Sequence, residues 1–157
     1  MPTKLTAKIT GLFAGNAKEH WPDKPASAID KSAVRNQQEI STCGLISDEQ
    51  ADRSVHGGPD KALHHYQGEH YATWKSEGIL PRGSEPCAFG ENISSFGLTE
   101  DNLCIGDVFQ LGTATVQISQ GRQPCWKLNE HTGNSQMAYL FQKTGRTGWY
   151  YLVLETG

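Results

Sequence analysis

Apolar and polar residues alternate near the start of the chain, with Leu5, Ala7 and Ile9 against Thr6, Lys8 and Thr10. This period of two predicts a half-buried strand, with a bend or bulge at Gly11. The same period returns more strictly where Ala114, Val116 and Ile118 alternate with Thr115, Gln117 and Ser119. Preceded by Val108–Leu111 and a turn at Gly112-Thr113, it predicts a β-hairpin. Further short strands are expected near Ala26–Ile29, Gln38–Thr42 and Ala62–Tyr66, after Phe89–Ile93, and at Trp149–Leu154. Helical spacing occurs twice. Tyr71 and Trp74 fall one turn apart within Gln67–Glu77, stopped by Gly78, and Met137, Leu140 and Phe141 recur within Gln136–Lys143, closed by Gly145. With no internal repeat and no linker-like shift in composition, residues 1–157 read as one domain. It is expected to be mainly β with short helices (α+β), a barrel or closed twisted sheet with helices added.

Composition narrows the function. The 157 residues include 17 Gly and 7 Pro, which suits a turn-rich globular chain, and the net charge is −3. That balance offers no basic surface to neutralise a run of phosphates, so no nucleic-acid partner is expected. No stretch approaches the roughly 18 apolar residues that cross a bilayer, and Met1–Leu5 lacks the apolar core of a signal peptide. A cytoplasmic protein with no membrane association is the expectation. Prolines make Trp21–Pro25 an irregular connection, and the polar stretch from Asp48 ends in His56-Gly57-Gly58-Pro59-Asp60, a shaped loop whose glycines allow close backbone approach.

Candidate chemistry centres on cysteine. Cys43, Cys87, Cys104 and Cys125 contain no Cys-x-x-Cys pair, which disfavours a zinc ribbon or an iron–sulfur cluster. Dinucleotide, P-loop, zincin and nucleophile-elbow motifs are absent too. Cys125 follows Pro124, a residue favoured in a first helical turn, with Arg122 and Lys127 as cationic neighbours. A thiolate so placed suits a nucleophile, a sulfur carrier or a soft metal ligand, although a small buried residue is the plain alternative. The other three cysteines are expected to fill space. His64 and His65 are adjacent on a strand and point to opposite faces, so at most one is expected to face inward and they cannot share a metal. His56 is a loop candidate, and Lys61, Arg122 and Lys127 are candidate phosphate ligands.

Several segments together resemble the MOSC domain, the family named for the C-terminal domain of molybdenum cofactor sulfurases. They are Val55–Leu63, Phe89-Gly90-Glu91-Asn92-Ile93 with Gly97-Leu98-Thr99, Ile105-Gly106-Asp107, Ser119–Leu128 and Gly148-Trp149-Tyr150. The resemblance is to the stand-alone bacterial branch associated with resistance to N-hydroxylated bases such as 6-hydroxylaminopurine. It implies a closed β-barrel, a bound molybdenum cofactor (molybdopterin) and Cys125 as the metal ligand and catalytic residue. Cofactor binding then falls to His56, Gly57, Gly58, Lys61, Arg122 and Lys127 around the phosphate, with Glu91 and Asn92 at the pterin edge. The implied reaction is reduction of a small N-hydroxylated substrate to an amine. With no flavin, NAD or iron–sulfur signature, an external electron-transfer protein is expected to supply the electrons. The alternatives are a persulfide carrier served by a pyridoxal-phosphate-dependent desulfurase, and a module that binds or delivers the cofactor. Ser47 stands where relatives usually carry glycine, Gly121 where they carry proline, and relatives often continue into a helical segment past the position of Gly157.

Overall fold

The computed structural model describes residues 5–18, 27, 29–49, 58–124 and 126–157. Nine strands are found among them: β1 Ile9–Ala14, β2 Ser32–Ala33, β3 Ile40–Ser41, β4 Gly44–Leu45, β5 Leu63–Gln67, β6 Ile93–Ser95, β7 Val108–Leu111, β8 Ala114–Gly121 and β9 Trp149–Glu155. Three α-helices accompany them, α1 Glu69–Ser76, α2 Trp126–Thr132 and α3 Met137–Thr144, and Pro59–Lys61 forms a 3-10 turn. Seven strands make one sheet in the order β2-β1-β6-β5-β9-β8-β7, while β3 and β4 pair separately. The sheet curls into a half-barrel, giving the mainly β architecture that the alternation predicts.

Neighbours in this sheet are antiparallel except β5 and β6, which run parallel with His65 opposite Ile93. The Val108–Ser119 hairpin forms as expected. Leu111 pairs with Ala114 across a two-residue turn whose Gly112 has φ +60°, the sign that primed hairpin turns require. The first strand begins later than its alternation suggests, at Ile9, and the ladder slips between Ile9 and Gly11, where the bulge was expected. Gln67 ends β5 instead of opening α1. Of Ala26–Ile29, Ala26 and Ala28 lie outside the described residues, and Ser27 makes only an isolated bridge to Lys18. The α2 helix begins at Trp126, directly after the Pro124-Cys125 pair where a first helical turn was expected.

Register assigns each side chain a face. Leu63, Ile93, Val116, Ile118, Trp149 and Tyr151 form an apolar cluster on one side of the sheet. The other side is covered by the three helices, where Tyr66, Tyr71, Trp74, Leu128, Met137 and Phe141 pack together. Tyr66 and Trp74 both stack on the Phe141 ring, at centroid distances of 5.5 and 5.8 Å. The Trp74 indole N–H also donates to the Tyr66 hydroxyl at 2.8 Å, so the deepest polar atoms of this layer are paired.

Because both faces are covered, one inference about the histidines fails. His64 and His65 do point to opposite sides, yet both are buried, at 5% and 4% exposure. The alternation located the two side chains correctly, whereas the assumption that one side of the sheet meets water did not hold. The cysteines also divide. Cys43 and Cys87 are partly buried free thiols, but Cys104 is exposed and fills no core space.

Candidate functional site

One edge of the helix-covered face gathers the ends of several elements. Gly58, buried and at φ +87°, opens the 3-10 turn that leads to Lys61 and β5. The turn is held against β8 and β9. Ser119 donates its hydroxyl to the Asp60 carbonyl and lies 3.2 Å from the Tyr150 carbonyl, and the Ala62 N–H donates to the Tyr151 carbonyl at 3.0 Å. This places the Lys61 ammonium 5.5 Å from the centre of the Tyr150 ring, a cation–π contact.

The strand that delivers the Cys125 segment is anchored the same way. Gly121 pairs with Trp149, and the Arg122 N–H donates to the Gly148 carbonyl at 3.3 Å. The Arg122 guanidinium turns inward and donates to the Phe89 carbonyl. A side chain at position 121 would meet only Thr147 Oγ1 at 3.8 Å and the Gly148 carbonyl at 4.0 Å, so glycine leaves the ladder intact there. Beyond this point α2 begins at Trp126. Lys127 is 8% exposed, with its ammonium 5.9 Å from the Trp126 ring centre. Cys125, His56 and Gly57 lie outside the described residues.

His64 stands at the centre of this edge. Its Nε2 is 3.4 Å from the Thr147 carbonyl and its ring 5.2 Å from that of Tyr150. Burial first, and then the nearby charge of Arg122, push the imidazole well below its usual pKa, and Lys31 acts in the same direction. The ring is therefore neutral at pH 7 and sits in a positive field. Lys31 is paired with Asp48 at 2.7 Å, with both side chains 7% exposed. Asp48 also accepts the Gly15 N–H at 2.9 Å and the Asn92 amide at 2.9 Å. Ser47, exposed and donating to Gln38 at 2.5 Å, forms part of a turn closed by the Asp48 N–H on the Leu45 carbonyl.

Glu91 and Asn92 are bonded into the scaffold. Glu91 is fully buried, accepting the Tyr71 hydroxyl at 2.5 Å and the Phe89 N–H at 3.1 Å. Its burial raises the carboxyl pKa, and the neighbouring Cys87 thiol is pushed up by burial and then by the Glu91 charge. Asn92 accepts the His64 N–H at 3.0 Å and donates to the Phe13 carbonyl at 3.1 Å. Sequence reasoning missed Lys31 and the central position of His64. Asp48 finds its cationic partner only when the chain folds back across 17 residues.

Both the sequence and the curled sheet match a known domain. A family model described as the MOSC domain matches residues 52–157. This chain belongs to the MOSC domain family. It is 47% identical over 149 residues to protein YiiM of Escherichia coli, covering 93% of this chain and 65% of that protein. It is 36% identical to a protein named reductase from Gibberella moniliformis, covering 99% of this chain but 28% of the fungal protein. The crystal structure of YiiM from Geobacillus stearothermophilus superimposes with a TM-score of 0.78 at 33% identity, covering 97% of this chain and 70% of that one. The MOSC chain thus spans less than two thirds of the length of these two sequence relatives.

Among the described residues no group of three or more His, Cys, Asp and Glu side chains is arranged to hold a metal ion. The donor chemistry of the site is cationic instead. Lys61, Arg122 and Lys127 are the cations on the elements that meet here, and such side chains suit an anionic, phosphate-bearing group better than a bare cation. The residues present therefore fit a cofactor that brings its metal with it.

Proposed function

We propose that this MOSC domain holds the molybdenum cofactor at the edge where Gly58, Lys61, His64 and Arg122 meet, and reduces small N-hydroxylated compounds to amines, with Cys125 as the protein ligand. The observation that carries this reading is the meeting of the Gly58–Lys61 turn, the Arg122 end of β8 and the buried His64 at one edge of the sheet, beside the segment that holds Cys125. The fungal relative named reductase supports the reaction class.

The cofactor, when bound, supplies an acceptor for the hydroxyl oxygen, and each hydroxylamine takes up two electrons and two protons to leave as an amine and water. The chain's own residues bind and position. Lys61, Arg122 and Lys127, with the backbone of Gly58 and the preceding His56-Gly57, attract and orient the phosphate. His64 stays neutral and adds no further charge to the pocket, while its Nε2 contact with the Thr147 carbonyl steadies the loop that receives Arg122. The electrons come from an external electron-transfer protein.

Metal analysis of protein from a cofactor-competent host tests this directly. One molybdenum per chain, lost in Cys125→Ala and reduced in Arg122→Met, is the expected result, together with conversion of 6-hydroxylaminopurine by the loaded protein and a reduced electron donor. Equal molybdenum in wild type and Cys125→Ala would remove Cys125 from the site. A loaded protein without conversion would remove the reductase.

A further inference from the structure

On the side of the sheet away from the helices, a cavity of about 510 Å³ lies between residues 5–9 and the edge strand β7. Its size falls within the ~300–1,000 Å³ typical of small-molecule sites. Leu5, Ile9, Ile93, Phe109 and Leu111 supply apolar walls, and His65, Ser95 and Tyr151 a polar cluster. Asp107 also borders it and no Lys or Arg does among the described residues, so an anionic ligand meets repulsion without compensation.

The polar cluster has one hydrogen too many for its own acceptors. His65 Nδ1 is 2.9 Å from the Tyr151 hydroxyl and His65 Nε2 is 2.6 Å from the Ser95 hydroxyl. Burial holds His65 neutral at pH 7, with a pKa pushed down to about 4, so the ring carries one N–H and one lone pair. Ring and hydroxyls together carry three hydrogens for two links. If Tyr151 donates to Nδ1, the Nε2–H donates to Ser95 and the Ser95 hydrogen is left over. If Ser95 donates to Nε2, the Tyr151 hydrogen is left over. Ser95 is 1% and Tyr151 3% exposed, and neither hydroxyl has another acceptor among the described residues. In either tautomer one O–H donor on the cavity wall has no acceptor within the described protein and is available to a molecule in the cavity.

We propose that this cavity is a second binding site, for an uncharged aliphatic molecule bearing one carbonyl-type acceptor, such as a medium-chain ketone or ester. The apolar walls take the chain, and the surplus hydroxyl hydrogen takes the carbonyl oxygen. The site lies on the opposite face of β5 from the cofactor edge, so it stands or falls independently of molybdenum.

Methyl hexyl ketone, octane and octanoate, titrated into the full chain and followed by calorimetry and by NMR of the His65 ring, test the assignment. The ketone is expected to bind with Kd below about 1 mM and to shift the ring resonances, with octane and octanoate at least ~10-fold weaker, the scale of one lost hydrogen bond. Ser95→Ala/Tyr151→Phe should bring ketone and octane to equal affinity. Val108→Trp, at a position 54% exposed on the edge strand, should block the cavity without disturbing the core and abolish binding. Ketone and octane binding equally to the wild type would overturn the acceptor role. No ring shift in folded protein, or ketone binding that survives Val108→Trp, would overturn the site, even if the double variant fails to fold.

Discussion

His64 and Asn92 hold each other twice: the His64 N–H donates to Asn92 Oδ1 at 3.0 Å, and the Asn92 N–H donates to the His64 carbonyl at 2.9 Å. Residues 28 apart are thereby locked at the start of the parallel β5–β6 pair, and the Asn92 amide extends the lock to Phe13 and Asp48. The buried His64 at the edge beside the Cys125 segment is placed by this clamp.

Asn92→Asp keeps the acceptor for His64 but removes both donated bonds and sets a carboxylate against Asp48, 2.9 Å from the present amide nitrogen. A loss of about 2–4 kcal/mol is expected at pH 7, from orphaned buried acceptors and like-charge repulsion. Urea unfolding at pH 7 and pH 5 measures it, and the deficit should shrink at the lower pH as the carboxylate pair takes up a proton. An unchanged midpoint would show that the clamp is not rigid.

Lys31 and Asp48 form a buried pair, and breaking one is costly in a way that replacing both is not. Lys31→Met should destabilise by about 3–5 kcal/mol, because it leaves a buried carboxylate with only hydrogen-bond donors. Asp48→Asn retains an acceptor for Gly15 and should cost less. The double variant is expected to be more stable than the sum of the single losses implies, by about 1–3 kcal/mol in a double-mutant cycle. Strict additivity would mean the two groups do not interact.

Acid should destabilise the fold through His65. The unfolded chain binds a proton near the ordinary histidine value of 6.5, whereas the folded ring resists until about 4. The unfolded state therefore holds more protons between these values, so the stabilisation is complete above pH 6.5 and drains away as pH falls toward 4. Integrated over that window, the effect is about 3 kcal/mol. His65→Gln should unfold with a visibly flatter dependence on pH across the window. Parallel pH profiles for variant and wild type would contradict the assignment.

Two glycines with similar backbones separate strain from crowding. Gly112 is at φ +60° with open space where a Cβ would stand, whereas Gly148 is at φ +68° and a Cβ there would overlap the His65 carbonyl and lie 3.0 Å from His64 Nε2. Gly112→Ala should therefore cost only the left-handed penalty of about 1–2 kcal/mol. Gly148→Ala adds a backbone clash, and should cost clearly more while weakening cofactor retention through the Arg122 contact. Equal losses in thermal unfolding would refute the difference.

Local chemistry was enough to read the Val108–Ser119 hairpin, the α3 helix with its Gly145 stop and the bulge at Gly11, because turn residues and short-range periodicity act within a few positions. It was also enough to send His64 and His65 to opposite faces. Whether those faces meet water or packing depends on what else folds over them. Only the assembled sheet, with helices on one side and the curled hairpin on the other, buried both rings. The Ser32–Ala33 strand and the Lys31–Asp48 and His64–Asn92 pairings were equally invisible in advance, since their stability comes from partners distant in sequence and no local period encodes those neighbours.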